Sequence, residues 1–294
     1  MMLPYRGFVV WDVSIFVIMG VFLLFVAFGW PGLPNSCLYY DPATHTLLTK
    51  DGVQDQCYCE CYDFAKILAH AGGVRQPVNT WFNLYSLVTS FIVALYIYLD
   101  RVDGKTWNLI RSNNPIADAY IFAVLFLGLG SMWFHASLTE DLAWLDGFSM
   151  YTYAGYLVFY TIRRLWSANW FFWVFYPVTA VGFTLIGQFW KYQLASLFLI
   201  MALVIVYLVF EIIVWIKSKK VLLGTKRARW LWGLAVTSMG LATLFWALSQ
   251  TGRPLCDSQS WFQPHGLLWH PLAGVMATLL YFYWREEQNP LAAP

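Results

Sequence analysis

The chain has 294 residues, of which 60% are hydrophobic and only 12% charged, and its net charge is +2. That is about half the charged share of a soluble domain, which excludes a water-soluble globule, because the surface could not be covered with charge. The net charge says nothing about nucleic acid, but no nucleic-acid motif is present, so no nucleic-acid partner is expected, and nothing in the sequence implies a protein partner.

A helix needs about 20 apolar residues to cross the hydrocarbon core of a bilayer. Eight stretches qualify, at 9–30, 78–99, 115–136, 143–162, 169–188, 192–215, 229–248 and 266–284. The first is too long for a signal peptide, and no small-residue cleavage pattern follows it. It reads as a retained transmembrane helix, residues 1–30. A non-membrane segment, residues 31–75, joins it to the rest. Residues 76–294 hold the remaining seven spans. The fold class is therefore all-α and polytopic: a seven-transmembrane-helix core with one additional N-terminal transmembrane helix. The fifth and sixth spans form a tight hairpin across Gln188–Lys191. Asn114-Pro115 marks the start of the third span, where Asp118 would favour the helix dipole. Asp12 and Glu211 also lie at or within spans, and the sequence names no partner for Glu211.

The basic residues set the orientation. With a cytoplasmic N-terminus, 13 of the 18 Lys and Arg residues fall on cytoplasmic segments and 5 on outer ones. Both termini are then cytoplasmic. All five cysteines, Cys37, Cys57, Cys59, Cys61 and Cys256, lie on the outer side. In an oxidising compartment that predicts one or two disulfides of undefined connectivity.

Three histidines converge on the outer ends of spans. His135 ends the third span, and His265 and His270 open the eighth. Asp146, at the start of the fourth span, follows His135 across a turn of about eight residues. Three imidazoles with one open position make a catalytic zinc site, whose bound water has a pKa lowered to roughly 7. A carboxylate beside that water, Asp146, would take its proton and deliver it to a leaving group. Ser131 lies four residues before His135 and shares its helix face. Its hydroxyl would donate to a carbonyl oxygen as charge develops there. These are the parts needed to hydrolyse an amide or an ester.

The sequence Gly130-Ser131-x-x-Phe134-His135-x-x-Leu138, followed by Leu145-Asp146-x-x-x-Met150-Tyr151, resembles the first signature of the alkaline ceramidase family. That family belongs to a wider superfamily of seven-helix membrane hydrolases and related receptors. Leu255-Cys256-Asp257 with Gln263, His265, Trp269 and His270 resembles its second signature. Asn79-Thr80 with Asn83-Leu84 adds to the likeness, which extends over residues 54 to 285. The resemblance implies a zinc ion held by His135, His265 and His270, with zinc-bound water attacking the amide of ceramide or a similar N-acyl lipid. It implies Asp146 as general base and then acid, and Ser131 steadying the oxyanion. The lipid substrate would come from the membrane, and the products would be a sphingoid base and a fatty acid. The active site would lie near the extracytoplasmic side.

Two departures stand out. The family spaces its last two histidines four residues apart, whereas His265 and His270 are five apart, about 500° around an ideal helix. Either one histidine precedes the first turn, or the helix carries a bulge, or one of the two is not a ligand. The family's acidic calcium motif is also altered. Its closing Glu is Gln76 here, which weighs against calcium, although Asp55, Glu60 and Asp63 remain candidate oxygen ligands beside it. Two other functions stay open. The cysteine-bearing outer segment resembles that of related enzymes that remodel lipid anchors by ester hydrolysis. A receptor or transporter would use the metal only structurally.

Overall fold

In a bilayer, backbone amides find no water, so the apolar runs satisfy them internally as helices. A computed structural model describes residues 5–32, 39–41, 46–48, 59–60, 71–166, 168–189, 193–217, 226–250, 253–257 and 260–287. Its helices are α1 (Arg6–Phe28), α2 (Pro77–Phe82), α3 (Tyr85–Val102), α4 (Pro115–Ser137), α5 (Glu140–Leu165), α6 (Asn169–Phe189), α7 (Gln193–Lys217), α8 (Lys226–Leu248) and α9 (His270–Arg285). A π-helical turn, His265–Trp269, leads directly into α9. Between α1 and α2, β1 (Tyr39–Asp41) and β2 (Thr46–Leu48) form a small antiparallel hairpin.

Among the described residues, seven helices are long and apolar enough to cross a membrane, with α2 and α3 forming one continuous span and the π-turn and α9 another. They include α1. The helix that falls outside this set is α5, at the fourth of the expected spans. It has 26 residues, which is long enough, but it carries Glu140 and Asp141 in its first turn and Arg163 and Arg164 in its last. Glu140 and Asp141 are exposed, but Asp146, Ser149, Thr152, Thr161, Arg163 and Arg164 are all buried. A polar helix of this kind is tolerated in a membrane bundle when it faces the interior.

Helices α4 and α5 form the centre of the bundle. Helix α4 packs on α1, α2, α3 and α5, while α5 packs on α6 and α7, and α9 packs on α8 and α3. Apolar side chains gain little from leaving lipid, so close packing and small residues hold such helices together. Gly130 on α4 is one such point: a Cβ there would lie 2.5 Å from Ser149 Cβ and 3.1 Å from the Leu145 carbonyl. The connection between α4 and α5 is shorter than the sequence suggests, because α5 begins at Glu140. Only Leu138 and Thr139 remain between the two helices. Leu138 adopts a left-handed conformation, φ 54°, as the helix C-cap, and it is wholly buried.

The acids that the sequence left unexplained are ion-paired. Asp118 contacts Arg6 and Arg101. Glu211 is 2.6 Å from Arg164, which also contacts Glu287. Asp100 receives Arg111 at 2.7 Å and Arg285 at 2.8 Å. Asp12, by contrast, is exposed on α1.

Candidate metal centre

The end of α4 opposite Asp118 carries His135. The end of the last span opposite Arg285 carries His265 and His270. The alternation of the chain brings these ends together. His135, His265 and His270 are buried, and one nitrogen of each lies within 4.8 Å of those of the other two. The Nε2 atoms of His135 and His265 are 3.3 Å apart. The ring centroids are separated by 5.1 Å, 5.6 Å and 4.8 Å for the pairs 135–265, 135–270 and 265–270.

The five-residue spacing is resolved by the π-turn. In a π-helix the hydrogen bond runs from i to i+5, so five residues make about one turn, and His265 and His270 fall on one face. Of the alternatives open in the sequence, the bulged helix is the one present. The π-turn packs on α2 at Gly266, where a Cβ would meet Asn79 Oδ1 at 2.9 Å and the Val78 carbonyl at 3.0 Å.

Ser131 and Asp146 lie near this cluster in the chain, and the Ser131 hydroxyl is close enough to influence the Asp146 carboxylate. Both are buried. The tight crossing at Gly130 and the two-residue turn bring them together. Tyr85 of α3 stacks on His270, with centroids 6.3 Å apart. No motif in the sequence points to it.

Gln76 is not placed as an isolated calcium ligand. Its Oε1 lies 2.8 Å from His135 Nδ1, and its backbone N–H donates to the His135 carbonyl at 3.1 Å. Glu60 is close by. Its carboxylate accepts the backbone N–H groups of Val78 at 2.7 Å and Asn79 at 2.8 Å, and its carbonyl accepts from Gln76 Nε2 at 3.0 Å. Burial pushes the Glu60 carboxyl above its usual range, and the two amides pull it back. The other two candidate calcium ligands, Asp55 and Asp63, lie outside the described residues. So do Cys37, Cys57 and Cys61. Cys59 and Cys256 form a disulfide.

Compared with protein families and with curated proteins, the chain matches none. What it can do must be read from the site itself. The donor set suits a divalent ion, since neutral imidazole is a common ligand for such metals. The burial pattern fits as well. Among the described residues, neither ring nitrogen of His270 has a hydrogen-bond partner, although the residue is only 2% exposed. Leaving such groups unsatisfied costs about 1–3 kcal/mol each, and a metal ion would relieve that cost at the ligating nitrogen. The group contains three protein ligands among the described residues, with no carboxylate closing it.

Proposed function

We propose that this protein is a membrane-embedded zinc hydrolase that cleaves the amide bond of ceramide or a similar N-acyl lipid. The observation that carries this reading is the buried three-histidine group, with Ser131 on the helix of His135 and Asp146 on the helix that follows it. A closed four-ligand shell would suit a structural metal, whereas three ligands leave a position for chemistry.

In this reading His135, His265 and His270 hold the ion. When bound, it supplies Lewis acidity and a water of lowered pKa. Asp146 accepts a proton from the attacking water at its carboxylate and returns it to the departing amine nitrogen. The Ser131 hydroxyl donates to the acyl oxygen, where negative charge develops. Water adds its hydroxyl to the acyl carbon and its proton to the amine, giving a fatty acid and a sphingoid base. The lipid chains enter sideways from the bilayer.

Helix α5 crosses the membrane with the other seven spans, so α1 is an addition to a seven-helix core. The basic residues orient both termini to the cytoplasm and the histidines to the extracytoplasmic side. The disulfide between the outer segment and the last loop supports that side. It also keeps an ester reading in view, because the outer segment resembles that of lipid-anchor remodelling enzymes. The test is incubation of purified protein with ceramides, N-acyl amino lipids and ester phospholipids, with products identified by mass. Sphingoid base plus fatty acid is the expected result. Release from esters alone would transfer the mechanism to that bond, and no turnover of any lipid in zinc-loaded protein would overturn the enzyme reading.

A further inference from the structure

One face of the metal centre is fastened by a strap that the mechanism above does not use. It begins at the Cys59–Cys256 disulfide, which links positions 197 residues apart. From Cys59 the next residue is Glu60, whose carboxylate caps the N–H groups of Val78 and Asn79, and whose carbonyl holds the Gln76 amide. Gln76 in turn meets His135 Nδ1 at 2.8 Å. Its Oε1 is an acceptor, so His135 carries its proton on Nδ1 and turns its unprotonated Nε2 towards His265. The partner on the far nitrogen fixes which nitrogen can ligate.

The other arm of the disulfide runs towards His265. Beyond Cys256, the Asp257 carbonyl accepts from Gln263 Nε2 at 2.9 Å. The Gln263 carbonyl accepts the Leu267 N–H within the π-turn at 2.8 Å. The disulfide therefore spans the two halves of the histidine group. We infer that the Cys59–Cys256 bond is a clasp that sets the metal affinity of this centre, acting through Glu60 and Gln76 on His135. The inference rests on the reading of the three histidines as a metal centre. Gln76 is a positioning residue in it. Opening the clasp needs a reductant such as a dithiol. The S–S bond breaks, the reductant supplies two electrons and two protons, and two cysteine thiols and an oxidised dithiol result.

The experiment is a zinc and cobalt titration of purified protein against a competing chelator, with amide hydrogen exchange followed over residues 75–79. Gln76→Leu is expected to weaken metal binding by about 10–100-fold, the usual effect of losing such a partner, while Gln76→Glu keeps an acceptor and binds as tightly as the parent or more so. The paired change Cys59→Ser with Cys256→Ser is expected to weaken binding to a similar degree and to speed exchange over 75–79. Treating the parent with a dithiol should do the same, which guards against misfolding of the serine variant. Combining the serine pair with Gln76→Leu should add little, since both act along one path. Parent-like affinity in the open-clasp protein overturns the clasp. If the parent binds no metal, the metal-centre reading falls. The clasp is then judged by exchange, and unchanged protection at 75–79 on opening overturns it too.

Discussion

At the scale of single residues, the site separates groups that would hold a metal from groups that would act on substrate, and the two kinds predict different losses. His135→Ala removes one of three donors and should strip most of the metal, as measured by elemental analysis of purified protein. Asp146→Asn keeps the size of the side chain but cannot take up a proton. It should retain the metal and lose about 10²–10⁴-fold in kcat, the range for removing a general base. Full turnover by that variant would remove Asp146 from its role. The three clustered histidines, His135, His265 and His270, were legible in the sequence, because ionisable groups at the ends of apolar spans need a reason to be there. Gln76 was legible only as a position, not as a role. A neutral amide makes sense there only once its oxygen is seen 2.8 Å from His135 Nδ1.

At the scale of elements, hydrophobic run length located each long helix to within a few residues, since the thickness of the bilayer fixes how long an apolar run must be. The ends were less legible. Helix α5 starts three residues before the apolar run, because Glu140 and Asp141 belong to its first turn and favour the positive end of its dipole. The π-turn was visible as a conflict, a five-residue spacing where an α-helix needs four, and the structure resolves it with one extra residue per turn. That makes a geometric prediction. Deleting Leu268 reduces the spacing to four, which an α-helix accommodates at about 400°, and the protein should still bind metal within about tenfold of the parent. Inserting an alanine between Leu267 and Leu268 gives six residues, about 600°, and points one imidazole to the far face. That variant should lose metal outright. Equal metal content in both would mean that the turn does not set the ligand geometry.

At the scale of the whole molecule, the two ends of the bundle are built from different chemistry. The histidines lie at one end. At the other, four buried acids among the described residues, Asp100, Asp118, Glu211 and Glu287, each meet at least one arginine from another helix or loop. The pairs cross between elements distant in sequence, so no local pattern could have named them. The Arg164 group is the most deeply set. Its guanidinium lies between Glu211 and Glu287, and Tyr283 contacts Glu211 and accepts from Trp215 at 2.7 Å. Helices α5, α7 and α9 are joined there. Removing Arg164 leaves two carboxylates facing each other in a dry interior, and Arg164→Met should cost about 3–5 kcal/mol, as breaking a buried pair does. One arginine also cannot balance two carboxylates. Burial, reinforced by the charge of Glu211 and opposed by Arg164, pushes the Glu287 carboxyl up to about 8, whereas an unfolded glutamate titrates near 4.3. A folded pKa above the unfolded one means that the folded protein holds a proton that the unfolded chain releases. The resulting stability is full below about pH 4.3 and is lost as pH rises through about 8. Thermal unfolding in detergent should therefore show a midpoint that falls between about pH 5 and pH 9. Glu287→Gln, neutral throughout, should flatten that slope while leaving metal content at the opposite end unchanged. A slope that survives in Glu287→Gln would place the titrating group elsewhere.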